Sequence, residues 1–114
     1  MRTSIIVIDD FYCNPDEVRA GVLKADFPVT GNYPGKRTKP WLNDGLRQVI
    51  QDAVKVPITY WPTGEHEYNG SFQIATGKDQ QTWLHIDPTN WAGVLYMTPD
   101  APPSAGTAVY RHIE

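Results

Sequence analysis

A chain of 114 residues and 12.8 kDa that is 40% hydrophobic holds enough apolar material for one small domain with its own core. Its formal net charge of −3 and pI near 5.5 give no general attraction to nucleic acid or to an anionic membrane, so neither is expected as a partner. Cys13 stands alone and forms no internal disulfide, and the apolar run in "MRTSIIVIDD" is too short for a signal peptide or a membrane span. A reducing, cytoplasmic location is expected.

In chain order, the β-branched run "SIIVI" at 4–8 predicts a strand. "DDFYCNPDEV" then carries a helix start, with Asn14 as N-cap, Pro15 at the first helical position and Glu17 at the third. The helix is expected to reach about Ala25, with Val18, Val22, Leu23 and Ala25 forming one narrow apolar stripe against a neighbour. "FPVTGNYPGKRTKPW" follows as a long ordered loop whose aromatics pack. Its basic residues Lys36, Arg37 and Lys39 either meet an anionic substrate or are simply solvated. A second helix is predicted from Asn43 or Asp44, presenting Leu46, Val49, Ile50, Ala53 and Val54 on one face before Pro57 ends it.

Beyond that point the period changes to that of strands: "ITYW", "GSFQIAT", a turn at "GKD", then "QTWLHID", "WAGVLYM" and "GTAVYRH". Ten prolines and nine glycines, spread between the apolar runs, suit a fold with many turns. The expected class is α+β in a single domain, 1–114. The N-terminal strand and helices (1–56) pack on an antiparallel sheet whose strands (57–114) lead toward a sandwich or jelly roll.

The chemistry concentrates at His85 and Asp87. In a strand, residues i and i+2 project to the same side, so an imidazole nitrogen and a carboxylate oxygen stand together at the strand end, with Ile86 on the opposite face. Pro88 and Asn90 break the strand just after them and place the pair at a rim, where a divalent ion keeps positions open for ligands. The tripeptide alone favours a plain His–Asp hydrogen bond at a strand end; the surrounding stretch turns the reading toward a metal. His66, between Glu65 and Glu67, reads as a solvated loop histidine, and Trp83 and Trp91 as core or pocket wall.

With "HID" after a strand, "WAGVLYMTPD" as the next strand and "AGTAVYRH" in the place of a Gly-Gly-Thr strand, residues 83–112 resemble the iron(II)- and 2-oxoglutarate-dependent oxygenases. "FYCNPDEVRAGVL" and "NYPGKR" are similar to a microbial and phage branch of that family, so the resemblance extends over nearly the whole chain. It implies a double-stranded β-helix that holds iron(II) by His85, Asp87 and a distal histidine, with 2-oxoglutarate as co-substrate for hydroxylation of a small molecule or protein. Tyr96 corresponds to a residue that hydrogen-bonds the far carboxylate of 2-oxoglutarate; a core tyrosine satisfied elsewhere is the competing reading.

The family's distal histidine and its carboxylate-binding arginine lie beyond the Gly-Gly-Thr strand, and the sequence stops at Glu114. The chain therefore looks like the front part of an oxygenase, with Arg111 and His112 read as strand-end residues; His112 as a substitute third iron ligand is the competing reading. No catalytic residue is assigned, and no appreciable turnover of 2-oxoglutarate is expected. A sheet cut at this point leaves edges and apolar faces around Trp83, Val94, Leu95 and Val109, so a homo-oligomer is expected. Two further readings stand beside the oxygenase: a non-catalytic jelly-roll module that self-associates, and a cupin-like small-molecule-binding protein, which would carry more than three histidines.

Overall fold

A computed structural model describes residues 5–31, 33–64, 67–79 and 84–110. Two helices and a two-stranded antiparallel sheet make it an α+β fold, in the order α1 (Pro15–Leu23), β1 (Lys36–Arg37), α2 (Asp44–Val54) and β2 (Gln73–Ile74).

Helix α1 begins where the Asn14-Pro15 signal places it, with Asp16 and Glu17 complementing the positive end of the helix dipole. The Asn14 side chain caps no backbone N–H; its amide instead donates to Glu17 Oε2 at 3.3 Å. The last turn tightens as Lys24 N–H reaches Gly21 O and Ala25 N–H reaches Val22 O, and regular helix ends at Leu23, two residues short of the predicted Ala25. Of the predicted stripe Val22 is buried, Val18 and Ala25 are half-buried and Leu23 is exposed.

Helix α2 is closed at both ends. Asn43 Oδ1 accepts from Leu46 N at 2.8 Å, and Lys55 turns into the left-handed region at φ 61 while its N–H bonds Gln51 O. Gln48 and Asp52 pair one turn apart on the outer face, with Gln48 Nε2 donating to Asp52 Oδ1 at 2.9 Å. Two other side chains of the helix hold the chain that follows it: Arg47 donates to Ile58 O and Gln51 Oε1 accepts from Ile58 N.

The sheet comes from the segment read as a basic loop. β1 pairs with β2 in the register Lys36↔Ile74 and Arg37↔Gln73, and Val29 bridges the other edge of Arg37, so Arg37 lies in a central position. The ladder runs on past the regular strands, through Thr38 N to Phe72 O at 2.8 Å and Trp41 N to Gly70 O at 3.0 Å. Successive strand residues face opposite ways, so Arg37 and Gln73 share one face while Thr38 turns to the other, where it is 1% exposed. Its hydroxyl donates to Lys39 O and accepts from Phe72 N, and the Trp41 and Phe72 rings meet edge to face beside it.

Gly35 makes this pairing possible. Its φ is +76, and a Cβ there would lie 1.9 Å from Ile74 O, so no side chain fits between the two strands at this point.

Several predicted strands are absent from the described residues. Residues 5–8, 58–61, 84–87, 91–97 and 106–110 form no ladder, and "GSFQIAT" is strand only at Gln73–Ile74. The reason is local: alternation of apolar and polar side chains makes a strand only when a neighbouring backbone accepts its hydrogen bonds. At Ile58 that neighbour is a helix, through Arg47 and Gln51. Along 84–110 nearly every residue is exposed, including Leu84 at 75%, Val94 at 66% and Val109 at 80%. Among the described residues no helix is long and apolar enough to cross a membrane.

Candidate metal centre

His85 and Asp87 approach each other in a stretch that is not strand among the described residues, and both are well exposed, so the expected strand-end placement in a concave face is not what holds them together. The His85 Nε2 to Asp87 Oδ1 distance is 3.4 Å, and the two side chains are 61% and 50% exposed. A turn follows at once, fixed by Thr89 Oγ1 donating to Trp91 O at 3.0 Å. The expected opposition of Ile86 leads nowhere: at 95% exposed it enters no core.

An imidazole nitrogen and a carboxylate oxygen this close suit a borderline divalent ion, whose bonds to both are about 2.0–2.2 Å long, after modest side-chain rotation. Among the described residues no group of three or more His, Cys, Asp or Glu side chains comes together around a metal-sized space, so the pair supplies two protein donors. His66, Trp83, Arg111 and His112 lie outside the described residues.

Tyr96 is 63% exposed, and its hydroxyl is hydrogen-bonded to Thr107 Oγ1. The bond ties the expected strand after the motif to the expected Gly-Gly-Thr strand across an eleven-residue separation. A hydroxyl pair of this kind leaves one O–H free, because only one of the two oxygens donates to the other.

A second cluster of polar and aromatic groups was not visible in the sequence. The Arg37 guanidinium carbon sits 3.7 Å from the centroid of the Tyr33 ring and 4.7 Å from that of Tyr68. The rings themselves are 5.4 Å apart at 78°, so the cation occupies the corner they form and is not sandwiched between parallel plates. Arg37 Nε donates to Gln73 Oε1 at 3.0 Å, and Gln73 Nε2 donates to Pro34 O at 2.7 Å. Tyr68 is presented by a turn closed by Ser71 N to Tyr68 O, with Gly70 at φ +81. Burial first, and then the adjoining Tyr68, raise the Tyr33 phenol above its ordinary 10.0, against the pull of Arg37 in the other direction. The only signal in the sequence is the spacing Tyr33, Gly35, Arg37, which places an aromatic residue and a cation on either side of a glycine turn.

Neither the curated proteins nor the solved structures contain a match to this chain. A family model does match, over residues 1–114, and the chain therefore belongs to a family of unknown function, DUF6445.

Proposed function

We propose that the protein is an iron(II)- and 2-oxoglutarate-dependent oxygenase domain, or part of one, with His85 and Asp87 as two of its metal ligands. The observation that carries this reading is the 3.4 Å approach of His85 Nε2 to Asp87 Oδ1 on the same side of the chain. Neutral imidazole supplies the nitrogen donor, and the Asp87 carboxylate supplies anionic charge that lowers the cost of holding a cation. Iron and 2-oxoglutarate together would supply dioxygen activation for hydroxylation, with conversion of 2-oxoglutarate to succinate. The third protein donor comes from beyond the described residues. Tyr96 suits the far carboxylate of 2-oxoglutarate when Thr107 donates to the phenol oxygen, leaving the Tyr96 O–H to point at the anion. The jelly roll belongs to this reading, with 84–110 as sheet whose pairing partners are supplied on assembly.

Anaerobic titration of the full chain with iron(II), then with 2-oxoglutarate, tests the reading through the metal-to-ligand absorption band of the ternary complex. Asp87→Ala and His85→Ala should each abolish the band. Equal iron binding by all three proteins would refute the assignment.

A self-associating module without catalysis is the second reading, and the exposure of Leu84, Ile86, Val94 and Val109 favours it. In that case light scattering shows a homo-oligomer, and iron leaves both its size and its melting unchanged.

A further inference from the structure

We propose that the outer edge of the Arg37 guanidinium is a binding site for a carboxylate group of a ligand. It stands whether or not His85 and Asp87 hold a metal.

The fold immobilises this side chain before any ligand arrives. Its backbone is paired on both edges, to Val29 on one side and to β2 on the other. Its Nε–H is held by Gln73, which is itself held by Pro34, and its guanidinium carbon stands 3.7 Å from the Tyr33 ring centroid and 4.7 Å from that of Tyr68. An arginine rotamer is costly to freeze, and here it is frozen in advance.

A cation fixed only to stabilise the sheet would be expected to pair with an acid, and none does so among the described residues. The terminal Nη1 and Nη2 make no hydrogen bond to any described group, although the residue is half-buried. Polar groups that a fold immobilises and leaves unsatisfied are those a ligand can satisfy at little ordering cost.

The groups left over select the ligand. With Nε engaged by Gln73, the guanidinium offers its terminal Nη1–Nη2 edge, a planar fork that matches the two coplanar oxygens of a carboxylate.

The test follows the Arg37 Nε–Hε resonance of the full ¹⁵N-labelled chain during titration with acetate, using sodium chloride at matched ionic strength as the reference. The expected result is a saturable shift with half-saturation on the order of 10 mM, as suits so small a fragment, and only a weak linear drift with chloride. Arg37→Lys keeps the charge and loses the fork. Followed at the backbone amides of 36–38, it should weaken acetate binding by about tenfold while the remaining amide spectrum keeps its dispersion. Absence of saturation in the unmodified chain, which needs no variant to observe, would overturn the proposal. So would unchanged affinity in Arg37→Lys, or saturation by inorganic phosphate without saturation by acetate.

Discussion

Replacing Thr38 by valine removes one hydroxyl from the most buried described side chain and preserves its shape. At 1% exposure, water does not replace the lost partner. Two hydrogen bonds go: Oγ1 to Lys39 O at 2.8 Å, and Phe72 N to Oγ1 at 3.0 Å. A typical bond contributes about 0.5–1.5 kcal/mol, and a buried group left without a partner costs about 1–3 kcal/mol, so Thr38→Val should destabilise the fold by about 2–3 kcal/mol. Thr38→Ser is the control. It keeps both bonds and removes one methyl, worth about 0.8 kcal/mol. Urea denaturation followed by circular dichroism reads the difference: with a slope of about 1–3 kcal/mol/M, the valine variant should lose roughly 1–2 M in midpoint and the serine variant well under 1 M. A valine variant as stable as the parent, or a serine variant less stable than the valine one, would refute the claim that this hydroxyl joins the two halves of the ladder.

Gly35→Ala should disrupt β1–β2 pairing, because the added Cβ would stand 1.9 Å from Ile74 O; slowed amide exchange at 36–38 and 72–74 should disappear even where the helices persist. Asn43→Ala removes the cap on Leu46 N and should cost about 1 kcal/mol, seen as a lower thermal midpoint with unchanged α1 chemical shifts. The Tyr33 phenol is held neutral above its ordinary 10.0, so its contribution to stability is complete below about pH 10 and is lost as pH rises through the raised value. Phenolate absorbance should therefore show a component titrating above the ordinary 10.0, and Tyr33→Phe should remove that component and flatten the alkaline loss of stability.

Both helices were legible because their signals are local. Asn14-Pro15 fixes where α1 starts, and Asn43 and Pro57 bracket α2, which needs no distant residue to decide where it begins. The sheet was not legible at its real position. Lys36 and Arg37 are charged and sit in a Pro- and Gly-rich stretch, and they become strand because Gly35 permits close approach of residues far away in sequence, information that no window around them contains. Conversely "WAGVLYM" has a strand's composition and no partner among the described residues. At the candidate metal centre the sequence brings His85 and Asp87 within reach of each other by their spacing alone, but the strand expected to carry them is absent among the described residues. The Tyr33–Arg37–Tyr68 corner depended on the turn that brings Tyr68 back to β1, which the sequence does not announce.

The placement of α2 between the paired strands bears on the order in which the chain acquires its structure. Arg37 and Gln73 are 36 residues apart, and closing a loop of that length as free chain carries an entropy penalty before any contact offsets it. A helix capped at both ends converts eleven of the intervening residues into a rod, and Arg47 and Gln51 fasten the next stretch to that rod at Ile58. Far fewer free links then remain to be closed. The expected route to the native state is the helix first and the ladder second. Loss of the Asn43 cap should appear mainly as slower refolding, whereas loss of the Thr38 hydroxyl should appear mainly as faster unfolding.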